Sequence, residues 1–298
     1  MGITSKIKRA IKNPNKTIKG TYSKIDQNAG KKLFGNTVGL KHNLHGTLNK
    51  ANAGDSVKSN DPQIIQFQKN GYISLGVKYD EKLVESIKQK YDKMIENDEF
   101  SFSSGIDKEK IFKRQIINPH MNIPEVESIL TEEMIDMIKG YYGGNFHVVR
   151  VDLWRTYHIP KELQENDLIS NRWHCDNRKT DRLKLFVNLS DVSENDGPLH
   201  LQAIPRTKEL MKMNFKNRLD YGVSNQTMED PNHVIKCTGE KGSAFFANTT
   251  TCLHKAGNPD NTRDIIQFLF RSSKEPLDKD WIKRVIHVSP DHIDTVEE

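Results

Sequence analysis

Cysteine is scarce in this chain. The 298 residues include three, Cys175, Cys237 and Cys252, an odd number with no CxxC spacing. That argues against a disulfide framework and against a thiolate-bound structural zinc. Long apolar runs are missing too: no stretch approaches the roughly 20 continuous apolar residues of a membrane-spanning helix. The opening residues lack the apolar core of a signal peptide, so export is not expected and a reducing, cytoplasmic setting is. In Met1-Gly2-Ile3-Thr4-Ser5-Lys6, lysine stands where N-myristoylation needs Ser or Thr.

Acidic residues are nearly absent from the first fifth of the chain. Residues 1–60 hold twelve Lys/Arg against two Asp, a net of +10, which leaves −5 for the remainder of a chain whose total is +5. Ile3, Ile7 and Ile11 recur at four-residue spacing beside Lys6, Lys8, Arg9 and Lys12, which suggests a short basic amphipathic helix before Pro14. Glycines from Gly20 to Gly54 then punctuate a loop-like stretch. The expectation for 1–60 is a solvated, partly ordered basic arm. Contact with an anionic membrane surface is the alternative, and with few interleaved aromatics nucleic-acid binding is not expected.

Residues 61–298 read as one folded unit. Asp61-Pro62 marks a helix start, with Ile64, Ile65 and Phe67 as its apolar positions. Asn70-Gly71 is a turn and Tyr72–Val77 a strand. Leu83, Ile87, Tyr91, Met94 and Ile95 form an apolar stripe that predicts a helix over Asp80–Asn97, and a further helix is expected over Glu125–Gly140. After Gly143-Gly144 the pattern changes to short β-prone runs: Phe146–Tyr157, Arg182–Leu189, Leu199–Ile204, Ser243–Asn248 and Asp264–Phe270. Residues 206–236 interrupt them as an insertion, expected helical over Lys208–Met213 and Phe215–Tyr221, that would serve as a lid. Helices first and strands afterwards point to a mainly β fold with α, a sandwich or barrel buttressed by N-terminal helices.

Within that pattern, Trp173-His174-Cys175-Asp176 places a His and an Asp one residue apart, on the same face of an extended segment. His254 follows a strand much later, and Arg263 opens the next. Two imidazoles and one carboxylate are the donor set of a non-haem Fe(II) centre with open positions. An arginine nearby is suited to a carboxylate, because its planar fork pairs two-pronged and stays protonated when buried.

On these residues the chain resembles the phytanoyl-CoA dioxygenase-like family of Fe(II)- and 2-oxoglutarate-dependent oxygenases. The likeness runs over roughly Asp61–Ser273. It includes Gln66–Ile73, the metal segment Trp173–Asp176, Asn188-Leu189-Ser190-Asp191 with Glu194–Leu199, then His254 and Arg263. The resemblance implies a double-stranded β-helix (jelly roll, cupin-like), with iron on His174, Asp176 and His254 and Arg263 on the far carboxylate of 2-oxoglutarate. It further implies O2 as second co-substrate, and oxidation of an unactivated C–H of a small molecule with release of succinate and CO2. Asp176 stands where related halogenases carry a small residue, which favours hydroxylation or another oxidation.

Two positions depart from the family pattern. Arg206-Thr207-Lys208 stands where a Ser or Gly before a His is frequent, and Ile265 where a hydroxyl often assists the arginine. Candidates for that helper are Tyr157, Lys184, Asn248 and Thr250. Arg150, Trp173, Arg178 and His200 are candidates for contact with a polar or anionic substrate; for Trp173 core packing, and for His200 a structural role, is the plainer reading. A non-catalytic cupin-like binding protein, a metal hydrolase and a module led by the basic arm are the rival readings.

Overall fold

The structure is a computed structural model. It describes residues 59–277 and 281, apart from 101, 106–109 and 177–181. The basic arm, its amphipathic helix and Arg178 therefore lie outside the described residues.

Three helices are interleaved with the first three strands, where the sequence pattern suggested helices first and strands afterwards. Helix α1 (Pro62–Asn70) starts on Asp61, whose side chain accepts from the Gln63 N–H at 2.7 Å. It stops at Gly71, which takes the left-handed φ of 70° and returns its N–H to the Phe67 carbonyl. A side chain at Gly71 would also run into Cys252 Sγ and Ile204, so glycine is required there twice over. Helix α2 (Glu81–Glu96) is capped by Asp80 and buries Val84, Ile87, Tyr91, Met94 and Ile95, close to the stripe read from sequence. The helix expected over Glu125–Gly140 is two pieces: a 3-10 turn at Pro124–Ile129, then α3 (Glu132–Tyr142). Leu130 leaves the helical region (ψ 73°), and Thr131 restarts the helix by accepting from the Met134 N–H. A good N-cap inside the pattern outweighed the continuous apolar spacing.

The described residues form ten strands: β1 (Tyr72–Val77), β2 (Phe102–Gly105), β3 (Ile111–Ile117), β4 (Phe146–Tyr157), β5 (Arg182–Asn188), β6 (Leu199–Gln202), β7 (Val234–Cys237), β8 (Ser243–Asn248), β9 (Leu253–Ala256) and β10 (Thr262–Ser272). Seven form an antiparallel sheet in the order β1-β8-β5-β10-β4-β3-β2, and three form a smaller one, β7-β6-β9. The segment around His174 joins the smaller sheet at its β9 edge through one bridge, His174↔His254. From β4 onward the chain passes repeatedly between the two sheets, which is the winding of a double-stranded β-helix.

Period-two alternation decides which side of the large sheet each residue serves. On β10, Ile266, Phe268 and Phe270 pack toward the helices with Leu183, Leu185 and Val187 of β5 and Val151 and Leu153 of β4. Arg263, Ile265, Gln267 and Leu269 face the other way, into a cavity. The large sheet is thus a wall, with an apolar core and helices behind it and a polar interior in front.

The insertion is helical at α4 (Ile204–Lys212) and α5 (Asn225–Met228), but Phe215–Tyr221 is a turn and not the expected helix. Asn217 Oδ1 accepts from the Leu219 and Asp220 N–H groups, and that side-chain turn displaces helix formation. Leu210, Met211, Phe215 and Met228 pack with Trp173 and Leu253 on the outer side of the small sheet. The insertion contributes none of the cavity's lining residues among those described. No helix among the described residues is long and apolar enough to cross a membrane.

Candidate functional site

His174 and His254 are direct cross-strand partners. The His174 N–H donates to the His254 carbonyl at 3.0 Å and the His254 N–H returns to the His174 carbonyl at 2.8 Å. Residues paired in this way project to the same face, and the two imidazole centroids lie 4.3 Å apart. The Asp176 N–H donates to the Thr249 carbonyl at 2.9 Å, which keeps the segment extended and brings its carboxylate to the same side. A single bridge, without a full strand, is enough to realise the one-residue spacing. The ligating atoms of His174, Asp176 and His254 all lie within 4.8 Å of one another.

The ring orientation is fixed from behind. Nδ1 of His174 lies 2.7 Å from the Arg172 carbonyl, and Nδ1 of His254 lies 3.1 Å from the Cys252 carbonyl. A carbonyl only accepts, so each Nδ1 carries the hydrogen and each Nε2 holds its lone pair toward the common centre. Asp176 Oδ1 is 3.9 Å from His174 Nε2 and 3.7 Å from His254 Nε2. Its other oxygen, Oδ2, accepts from Thr249 Oγ1 at 2.6 Å and from Lys184 Nζ at 2.7 Å. One carboxylate oxygen is therefore held by the protein and the other faces the imidazoles.

Electrostatics leave all three ready to bind a cation. Burial pushes His174 down to about 3, assisted by the neighbouring His254, and burial pushes His254 down to about 4. Burial works to raise Asp176, but Lys184 and the two imidazoles outweigh it and hold the carboxyl well below the usual range. Neutral imidazoles and an ionised carboxylate are the protonation states a divalent metal requires.

The cavity beside this cluster is lined by cavity-facing residues of β3, β4, β5 and β10. Arg263 is 4% exposed, and burial lowers its guanidinium to about 10, still a cation at neutral pH. Its Nη1 donates to the Gly197 carbonyl and its Nε is buried with no partner. Asp152, fully buried, accepts from Arg150 Nε and Gln115 Nε2 at 2.8 Å each and from Gln267 Nε2 at 3.2 Å.

Of the residues singled out by sequence, the structure brings His174, Asp176, His254, Arg263, Lys184 and Arg150 to one cavity. Tyr157, Asn248 and Thr250 do not line it. Tyr157 has the opposite parity to Arg150, Asp152, Trp154 and Thr156, the cavity-facing residues of β4. Asn248 donates to Tyr141 Oη at 2.6 Å and accepts from the Thr250 and Thr251 N–H groups, so its amide serves the turn. Thr250 Oγ1 accepts from the Arg182 N–H. His200 pairs with Lys255 while Leu201 pairs with His254, so alternation sends His200 to the outer face of the small sheet. Trp173 lies on that face too, fully buried, donating Nε1 to Glu229 at 2.7 Å; it is packing, not a substrate platform.

Thr249, Lys113, Gln115 and Asp152 went unread in the sequence. Thr249 stands between Asn248 and Thr250, and only tertiary pairing shows that the middle residue meets Asp176.

No family model and no curated protein matches the chain by sequence. Solved structures do match by fold. The epimerase SnoN in complex with Fe3+, α-ketoglutarate and nogalamycin RO superposes with a TM-score of 0.53 at 12% identity, over 70% of this chain and 82% of that one. The non-haem α-ketoglutarate-dependent carbocyclase SnoK from nogalamycin biosynthesis gives 0.51 at 14% identity, over 72% and 84%. EctD from S. alaskensis gives 0.50 at 12% identity, over 74% and 81%. At these identities the likeness establishes the jelly-roll fold.

Proposed function

We propose that this protein is an Fe(II)- and 2-oxoglutarate-dependent oxygenase of the phytanoyl-CoA dioxygenase-like kind, oxidising a small polar or anionic molecule. The observation that carries the reading is the convergence of two Nε2 lone pairs and one carboxylate oxygen on a common centre, at the edge of a cavity that also holds a buried arginine. The site fits a divalent iron: the donors are in the required protonation states, and the set leaves coordination positions for co-substrates. Buried Nε of Arg263, lacking any partner, fits a second carboxylate that supplies what the protein does not. With iron and 2-oxoglutarate bound, the centre supplies O2 activation coupled to conversion of 2-oxoglutarate to succinate and CO2.

The chain's own part is placement. Arg172 and Cys252 carbonyls hold the imidazole tautomers, and Thr249 turns Asp176 so that one oxygen remains free for the metal. Lys184, whose Nζ lies 2.7 Å from Asp176 Oδ2, balances the charge of that carboxylate from the cavity wall. Ile265, Phe186 and Leu199 supply the apolar part of the lining and limit water. The reaction outcome we favour is hydroxylation.

Anaerobic addition of Fe(II) and then 2-oxoglutarate tests the reading through the visible charge-transfer band of the ternary complex. Succinate release during a substrate screen then identifies what is oxidised. Hydrolysis supported by zinc without oxygen, or absence of the band, would overturn the proposal.

A further inference from the structure

The insertion packs on the outer side of the small sheet, yet its side chains reach the residues that flank both imidazoles. Trp173 and Lys255 adjoin His174 and His254 in the chain, so with the imidazoles turned inward their side chains turn outward. Glu229 takes both. One oxygen, Oε1, accepts from the Trp173 indole N–H at 2.7 Å and from Lys255 Nζ at 2.6 Å. Lys255 Nζ also lies 5.2 Å from the centre of the Trp173 ring.

The main chain is held in the same way. The Trp173 N–H donates to Tyr221 Oη at 3.0 Å, and the Leu253 N–H to Thr207 Oγ1 at 2.9 Å. Each imidazole is thus preceded by a residue whose N–H ends on a hydroxyl of the insertion. On the His174 segment this matters most, because the bridge to His254 is its one ladder contact among the described residues. Its N–H groups alternate in direction: those of His174 and Asp176 point to residues 249–254, and that of Trp173 points to the other edge. Trp173 is fully buried, so without Tyr221 this donor would be left unpaired.

Tyr221 is itself placed by a closed turn. The Lys216 N–H donates to its carbonyl at 2.9 Å, Phe215 stacks on its ring at 5.8 Å, and the Arg172 guanidinium lies 5.8 Å over it. The same turn carries Arg218, whose Nη1 is 3.0 Å from Asp167 in the loop that leads to the metal segment. None of these contacts touches the cavity or a ligand atom. They meet the neighbours of two ligands on separate strands, and so constrain how those strands stand to one another. Metal affinity follows how closely the donor atoms are held before the ion arrives.

We infer that the insertion is an outer clamp of the metal centre, in which Tyr221 and Glu229 are positioning residues that hold the two imidazole-bearing strands together from the side opposite the cavity. The inference rests on the metal site of the oxygenase reading. It adds that two residues remote from the cavity set how tightly, and in what geometry, the ion is held.

The test uses the full chain with Co(II) alone as the probe. Its visible bands report coordination geometry, and competition with a chelator reports affinity. Tyr221→Phe keeps the ring and loses the hydroxyl, Glu229→Ala loses both contacts, and Glu229→Gln keeps an oxygen able to accept from both donors. Tyr221→Phe and Glu229→Ala are each expected to weaken Co(II) binding about tenfold, the low end for partners of ligating groups, and to change the bands at saturating metal. Glu229→Gln is expected to stay within threefold of the unsubstituted protein and to keep its bands. In the metal-free protein, hydrogen exchange at the Trp173 amide should speed up in Tyr221→Phe, while that of Phe268, in the core behind the large sheet, holds. Unchanged affinity and bands in either Tyr221→Phe or Glu229→Ala overturn the inference. Weaker binding with unchanged bands, and equal speeding at Trp173 and Phe268, overturns it too, since that is a general loss of stability. No Co(II) binding by the unsubstituted protein is a different failure, that of the metal-site reading, and leaves the clamp nothing to hold.

Discussion

Thr249 shows how much of the proposed metal site depends on a residue outside the ligand set. Its hydroxyl donates to Asp176 Oδ2 at 2.6 Å and its carbonyl receives the Asp176 N–H, so one residue fixes both the side chain and the backbone of the carboxylate. Thr249→Val keeps the shape and removes the hydroxyl; metal affinity, measured by competition with a chelator, is expected to fall about 10- to 100-fold. His174→Ala and Asp176→Ala are expected to abolish the charge-transfer band. Arg263→Ala is expected to keep it at high 2-oxoglutarate and to raise the co-substrate requirement at least tenfold. The two imidazoles also make a pH prediction for the metal-free protein. Their folded values of about 3 and about 4 lie below the ordinary 6.5, so the unfolded chain takes up protons first as pH falls. Their contribution is complete above pH 6.5 and lost as pH falls from there toward about 3. Urea midpoints at pH 7.5 and pH 5 should differ in that sense, and the slope should flatten in the His174→Gln/His254→Gln protein.

Between elements, the joint next to Arg263 is ionic. Arg155 of β4 grips Asp264 of β10 with Nε at 2.7 Å and Nη2 at 2.8 Å, and its Nη2 also meets Asp92 of α2 at 2.5 Å. Lys88, one turn back on α2, lies 2.9 Å from Asp92 and 3.4 Å from Asp264. Burial works to raise the Asp92 carboxyl, but Lys88 and Arg155 outweigh it and lower it. The cluster ties helix α2 to the back of the wall whose front carries Arg263, so the fork of Arg155 sets the angle at which β10 begins. Asp264→Asn leaves a largely buried Arg155 with half of its partners and is expected to cost about 3–5 kcal/mol in urea unfolding, the usual range for breaking such a pair. Co-substrate affinity should drop with it. An unchanged unfolding midpoint would mean that Asp92 alone suffices.

For the whole molecule the question is where the catalytic unit ends. Every described residue assigned to the metal and the cavity lies between Lys113 and Leu269, whereas the excess positive charge lies in residues 1–60. We propose that the arm lies outside the catalytic unit. A chain lacking residues 1–58 is expected to form the charge-transfer band with 2-oxoglutarate affinity within twofold of the full chain. A larger loss, measured by anaerobic titration, would make the arm part of the site.

The candidate metal-binding cluster, the wall strands and the helical stripe were legible in the linear order of residues. Each rests on local periodicity: two for His174 and Asp176 and for β10, three to four for α2. Local signals also misled where a side chain competes with the backbone, at Thr131 and Asn217, because a cap or side-chain turn stops a helix that spacing alone would continue. What periodicity does not contain is pairing between strands distant along the chain. Register alone sent His200 outward and His254 inward, brought Thr249 to Asp176, and placed Lys113 in one row with Arg263. Parity along one strand is a property of the chain, but the face it turns to, and what stands opposite, is decided when the sheets close around the cavity.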